Sequence, residues 1–161
     1  GQVHPDIRLG KKMRFMVVSD CPTWEEEKKG NLLEGESAQY VKAAIKENEL
    51  AVADGYYTTL VKAKKQDKFL TTGQINGCSP HLAKEIELLK PPVIVALGSQ
   101  SIRYLLPDVK VSPSDLVGMT FYNPKLDATI VCGLNPQQCH FDPTKLEGLV
   151  KAFKEVADII S

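Results

Sequence analysis

Four lysines, Lys62, Lys64, Lys65 and Lys68, fall within residues 62–68, and with Lys11, Lys12 and Arg14 they could track the phosphates of a nucleic acid. A solvated charged loop is the plainer account of such a run. Gln137 and Gln138 could hydrogen-bond a groove or a phosphate, or face water. His140 closes the same polar stretch, and an imidazole there could handle a proton near neutral pH, a structural role being the bland alternative. His81 follows Pro80 and reads as a surface or capping histidine. Trp24 could stack on a base or ribose, or plug the mouth of a pocket. Among the cysteines, Cys21, Cys132 and Cys139 could meet around a zinc ion. No CxxC pair exists, however, and buried thiols account for them more simply.

These residues must be carried by alternating strands and helices. Residues 14–19 (RFMVVS) form a short apolar run that reads as a buried strand, and a helix starting near Ser37 follows it. Residues 50–61 give a second strand ending near Lys62. Ser79 and Pro80 resemble the cap and first position of a helix that stops at Pro91 and Pro92. Residues 93–97 are a continuous apolar strand closed by Gly98, with Ser99 capping a short helix. Residues 119–122 and 128–132 are strand candidates around an Asn123-Pro124-Lys125 turn, and Asp142-Pro143 caps a last helix. The alternation predicts an α/β fold: a three-layer α/β/α sandwich around a central, mostly parallel sheet of about four strands. Ligands bind such sheets at the carboxyl ends of the strands, here near residues 19–23, 58–65, 98–100 and 133–138.

Composition agrees. A chain of 161 residues with 43% hydrophobic and 25% charged residues is one ordinary globular domain, spanning residues 1–161. Lys plus Arg and Asp plus Glu each total 20, so a histone-like polycation is excluded and any polyanion must be met by local clustering. No apolar stretch approaches the roughly 20 residues that cross a bilayer, and no leader precedes the chain, which predicts an intracellular protein without membrane contact. Four irregularly spaced cysteines do not make a disulfide scaffold. The initial Gly suggests a trimmed chain or a piece of a longer one.

Several strand ends taken together resemble the uracil-DNA glycosylase superfamily, most closely its iron-sulfur branch. Ser19-Asp20-Cys21-Pro22-Thr23 is similar to the family's Gly-Glu-small-Pro-Gly, with Glu25 to Glu27 following as there. Gly30 to Ala38 is similar without a gap to Gly-x-Pro-Phe-Val-Gly-x-Ala-Gly, and Tyr57-Thr58-Thr59-Leu60-Val61-Lys62 resembles the Thr-Asn-Val-Val-Lys strand. Cys78-Ser79-Pro80-His81-Leu82, Glu85-Ile86 and the run from Lys90 to Gly98 form the most specific match, and Asn135-Pro136 with Pro143 occupies the place of the His-Pro motif.

The resemblance implies a domain that contacts single- or double-stranded DNA and flips a uracil out for N-glycosidic hydrolysis. It also implies departures in the pocket. Asp20 replaces the water-positioning Glu with a shorter carboxylate, and Cys21 stands beside it in the base-binding motif. Leu33 replaces the stacking Phe, a contact worth roughly 1–3 kcal/mol per base. Thr59 replaces the Asn that reads the pyrimidine edge, and a hydroxyl cannot make the bidentate pair. Asn135 replaces the His, with His140 a substitute in the same loop, and Phe141 takes the place of the trailing Arg. Of the cluster cysteines only Cys78 matches, with Ala63 at another cluster position, so no cofactor is expected. The expectation is a glycosylase fold with weak or lost excision, a module of a replication or repair protein such as a DNA polymerase. A glycosylase working through Asp20 with Asn135 or His140, and a protein-interaction scaffold, stay open beside it.

Overall fold

A computed structural model describes residues 13–22, 35–62 and 72–161. Five strands form one sheet: β1 (Phe15–Ser19), β2 (Gly55–Thr59), β3 (Val93–Leu97), β4 (Thr120–Asn123) and β5 (Ala128–Gly133), in the order β2-β1-β3-β5-β4. The first three and β5 are parallel; β4 runs antiparallel to β5 at one edge. Parallel neighbours require crossovers, and the helices supply them. They are α1 (Glu36–Glu47), α2 (Thr72–Leu89), α3 (Ser99–Leu105), the single turn α4 (Pro113–Leu116), α5 (Gln137–Phe141) and α6 (Leu146–Ile160).

Side chains alternate across the sheet with the period of two that a strand imposes. Met16, Val18, Tyr56, Ile94, Ala96, Ile130 and Cys132 face one layer, where Leu82 and Ile86 of α2 and Ile102 and Leu105 of α3 cover them. Phe15, Val17, Tyr57, Val95 and Val131 face the other, under Val41 and Ile45 of α1 and Leu149, Phe153 and Val156 of α6. The sheet is therefore apolar on both faces, as the unbroken run of residues 93–97 foretold.

The expected three-layer arrangement is present, with five strands rather than about four: β4 (Thr120–Asn123) joins the sheet as an antiparallel edge. Two boundaries differ from expectation. Residues 50–53 do not open a strand; Val52–Asp54 form a 3-10 turn and β2 begins at Gly55. Helix α2 begins at Thr72, so Pro80 lies inside it rather than at its start. The reason is a longer apolar stripe: Ile75 and Cys78 pack on the core in register with Leu82 and Ile86, while Pro80 is exposed on the opposite side, where water can meet the carbonyl its ring leaves unbonded.

Register brings the four parallel strand ends level. Ser19 lies opposite both Thr59 and Leu97, and Leu97 lies opposite Gly133. The chain order changes direction between β1 and β3, so a crevice opens at their carboxyl ends.

Candidate functional site

Asp20 leaves β1 at this crevice and points at the first turn of α3. Its Oδ1 accepts from the Ser101 backbone N–H at 2.7 Å and the Ser101 hydroxyl at 2.8 Å, and its Oδ2 from the Gln100 N–H at 3.3 Å. The first amides of a helix have no partners within it, so a carboxylate from a neighbouring strand caps them well. Gly98 makes the approach feasible: at φ +149° it adopts a backbone that suits glycine, and a Cβ there would sit 2.6 Å from the Asp20 carboxyl carbon. Most of the carboxylate's acceptor capacity is therefore used inside the fold.

Asn135 follows β5. Its side-chain oxygen accepts from the Gln137 N–H at 3.0 Å, starting α5, which leaves the amide N–H₂ as its donor toward the crevice. Asp20 and Asn135 line one cavity of about 530 Å³, with Gly98 and Gly133 also in its wall. That volume falls within the usual range for small-molecule sites, roughly 300–1,000 Å³. Gln138 reaches the same cavity and accepts a hydrogen bond from the Lys145 ammonium at 3.3 Å; Gln137 is half-buried and outside it.

The other expected site residues divide. Thr59 is held beside the end of β1, because β1–β2 pairing continues past it: Leu60 and Val61 donate to the carbonyls of Ser19 and Asp20. Its hydroxyl is buried and has no hydrogen-bond partner among the described residues, and it does not line the cavity. Cys21 is half-buried against the α2–α3 side of the core. His140 points away from the cavity, its Nδ1 3.1 Å from the Glu36 carboxylate at the start of α1, and Phe141, 85% exposed, touches only its ring edge-on among aromatic contacts. Phe141 therefore does not fill the pocket.

Lys62 needs a correction. It is buried, not displayed on a phosphate-facing loop. Its ammonium donates to the Glu85 carboxylate at 2.7 Å, the Thr58 hydroxyl at 2.7 Å and the Thr59 carbonyl at 2.6 Å, which uses all three of its protons. Glu85 also accepts from Tyr56 and Thr58. The side chains expected to work beside Lys62, namely Lys64, Lys65 and Lys68, lie outside the described residues, as do Lys11, Lys12, Trp24 and Leu33.

The thiols do not converge on a metal. Cys132 and Cys139 belong to the cores on opposite faces of the sheet, which separates them as joint ligands. Burial pushes the Cys132 thiol up to about 11 and raises that of Cys139, aided there by Asp142. An iron-sulfur cluster takes four thiolates, and with Cys132 and Cys139 on opposite faces of the sheet the four cysteines of this chain do not meet as one donor set. Among the described residues no helix is long and apolar enough to cross a membrane.

Two signals were missed in the sequence. Ser101 and Gln100, which hold Asp20, carry no motif of their own. Lys145 and Lys151, at the cavity rim, were hidden in an ordinary amphipathic helix pattern.

A family model described as "Uracil DNA glycosylase superfamily" matches residues 8–157. The chain is 30% identical over 154 residues to the DNA polymerase III subunit alpha of Yersinia pestis, covering 95% of this chain and 13% of that protein. It is 27% identical over 106 residues to a Type-4 uracil-DNA glycosylase of Thermotoga maritima, covering 65% of this chain and 55% of the relative. A DNA polymerase of Bacillus phage SP01 is 27% identical over 97 residues, 59% of this chain and 10% of its own length. The chain thus spans a small part of the polymerases and about half of the glycosylase.

Proposed function

The chain belongs to the uracil DNA glycosylase superfamily, and on that premise we propose that residues 1–161 form one DNA-contacting domain whose uracil excision is weak or lost. The observation that carries this reading is the state of Asp20. A carboxylate that accepts three hydrogen bonds from the start of α3 has little capacity left to orient an attacking water. The leaving base fares no better. Asn135 can donate to a developing oxyanion but cannot become cationic, and His140 is turned to Glu36. Losing one such stabilising donor typically costs about 10²–10³ in rate. Work alongside a replicative or repair polymerase is supported by the polymerase relatives, in which the matching sequence is a small part of a much longer chain.

A specific observation favours a second reading. The free amide N–H₂ of Asn135 is an unspent donor on the wall of the cavity where a base would be read. It suits an active glycosylase with altered recognition, since an amide can donate to a pyrimidine oxygen without carrying charge.

The test is uracil release from a single-stranded oligonucleotide, with a Type-4 glycosylase as reference. The first reading expects turnover at least about 10²-fold below the reference and unchanged in Asp20→Asn. Release comparable to the reference that disappears in Asp20→Asn would establish the second.

A further inference from the structure

The cavity holds a second carboxylate. Glu147 stands in the first turn of α6 and lines the same cavity as Asp20, Asn135 and Gln138. Packing beneath it fixes that place. Gly148 lies so close to Leu134 that a Cβ on it would sit 2.8 Å from the Leu134 Cδ2, so the turn carrying Glu147 rests on the residue before Asn135. The two acids differ in what they have left to offer. Asp20 accepts three hydrogen bonds, from the Gln100 N–H and from the N–H and hydroxyl of Ser101. Glu147 is exposed at the cavity and has no hydrogen bond or ion pair among the described residues, since the neighbouring Lys145 ammonium is turned to the Gln138 oxygen at 3.3 Å.

We infer that Glu147 is the carboxylate that orients the attacking water in the residual uracil excision of this chain, while Asp20 serves as the anchor of α3. The inference rests on the weak-excision reading above and assigns that slow reaction to a residue. An ionised carboxylate has roughly four acceptor sites. Three are filled on Asp20, whereas those of Glu147 are open both to hold a water and to take its proton. In the step itself, the water oxygen bonds C1′ of the deoxyribose as the C1′–N1 bond breaks, and the bonding pair leaves on the pyrimidine. The water proton passes to a Glu147 oxygen and from there to the departing base, so the products are an abasic sugar and uracil. Asn135 donates its amide N–H₂ to the pyrimidine oxygen where charge gathers. A long side chain on an exposed helical turn is aimed less rigidly than one at a strand end, which accounts for a slow reaction.

The test is single-turnover uracil release from a uracil-containing single-stranded oligonucleotide, with the full chain in excess. Glu147→Gln keeps the shape of the side chain and should lower release about 10²-fold at an unchanged urea midpoint. Glu147→Ala should be slowed in the same measure and should recover in added formate, which replaces the missing carboxylate and would not restore a purely structural side chain. Asp158→Asn, an exposed carboxylate at the far end of α6, should leave release unchanged. The inference is overturned if Glu147→Gln releases uracil as fast as the wild type, if formate fails to restore Glu147→Ala, or if the wild-type chain releases none, and the weak-or-lost reading survives all three. Wild-type release comparable to that of a Type-4 glycosylase and abolished by Asp20→Asn would instead overturn that reading, and the role of Glu147 with it.

Discussion

Each chemistry-bearing residue is governed by what its neighbours have already claimed. Asp20 was legible as the carboxylate at the first strand end, but its use was not, because the amides that bind it come from residues 100 and 101, far along the chain. His140 was likewise visible as a candidate and is engaged by a residue some hundred positions earlier. The thiols follow the same logic through solvent. Burial favours the neutral form of Cys132, raising it from an ordinary value of 9.0 to about 11. The sign follows by linkage: the stability this thiol lends is whole below pH 9 and is lost as pH rises through 11, because the unfolded chain ionises first. At pH 8, Cys21 and Cys78 should therefore react with a thiol reagent well ahead of Cys132 and Cys139, which should wait for unfolding. Equal labelling of all four in native buffer would contradict their placement.

At the scale of elements, the end of β2 is tied to α2 by the Lys62–Glu85 pair, with side chains only 8% and 14% exposed. Removing one member strands a buried charge, so Lys62→Met should cost roughly 3–5 kcal/mol. The double variant Lys62→Met with Glu85→Leu should cost clearly less than the two single changes summed. Urea denaturation of the four proteins measures this, and additivity would show the pair to be uncoupled. The pattern of residues 93–97 announced β3 without ambiguity, since an apolar run of that length between Pro92 and Gly98 has few other uses. The start of α2 was hidden because Ser79-Pro80 is a strong local helix-start signal, and only the packed layer beneath selects the longer stripe from Ile75.

For the molecule as a whole, the two apolar faces of the sheet explain why so much of the architecture could be anticipated while the site could not. Layering depends on which residues are apolar and how they repeat, and both are written locally. The crevice depends on side chains from four strand ends meeting, and on charges being spent or left free once they meet. Phe153 reports on the first kind of information: it is fully buried and packs edge-on to Phe15 at a ring separation of 6.2 Å. Phe153→Ala should lower unfolding free energy by about 3–5 kcal/mol, read from the shift of a denaturation midpoint, with excision and DNA affinity unaffected in the fraction that stays folded.

The Arg14 guanidinium donates to the Ile160 carbonyl at 3.1 Å, stitching the entry of β1 to the exit of α6 at the amino ends of the strands. The fold thus resembles a cartridge with both leads on its back. A polypeptide spliced on behind Ile160 would start from the amino ends of the strands, on the side away from the crevice mouth.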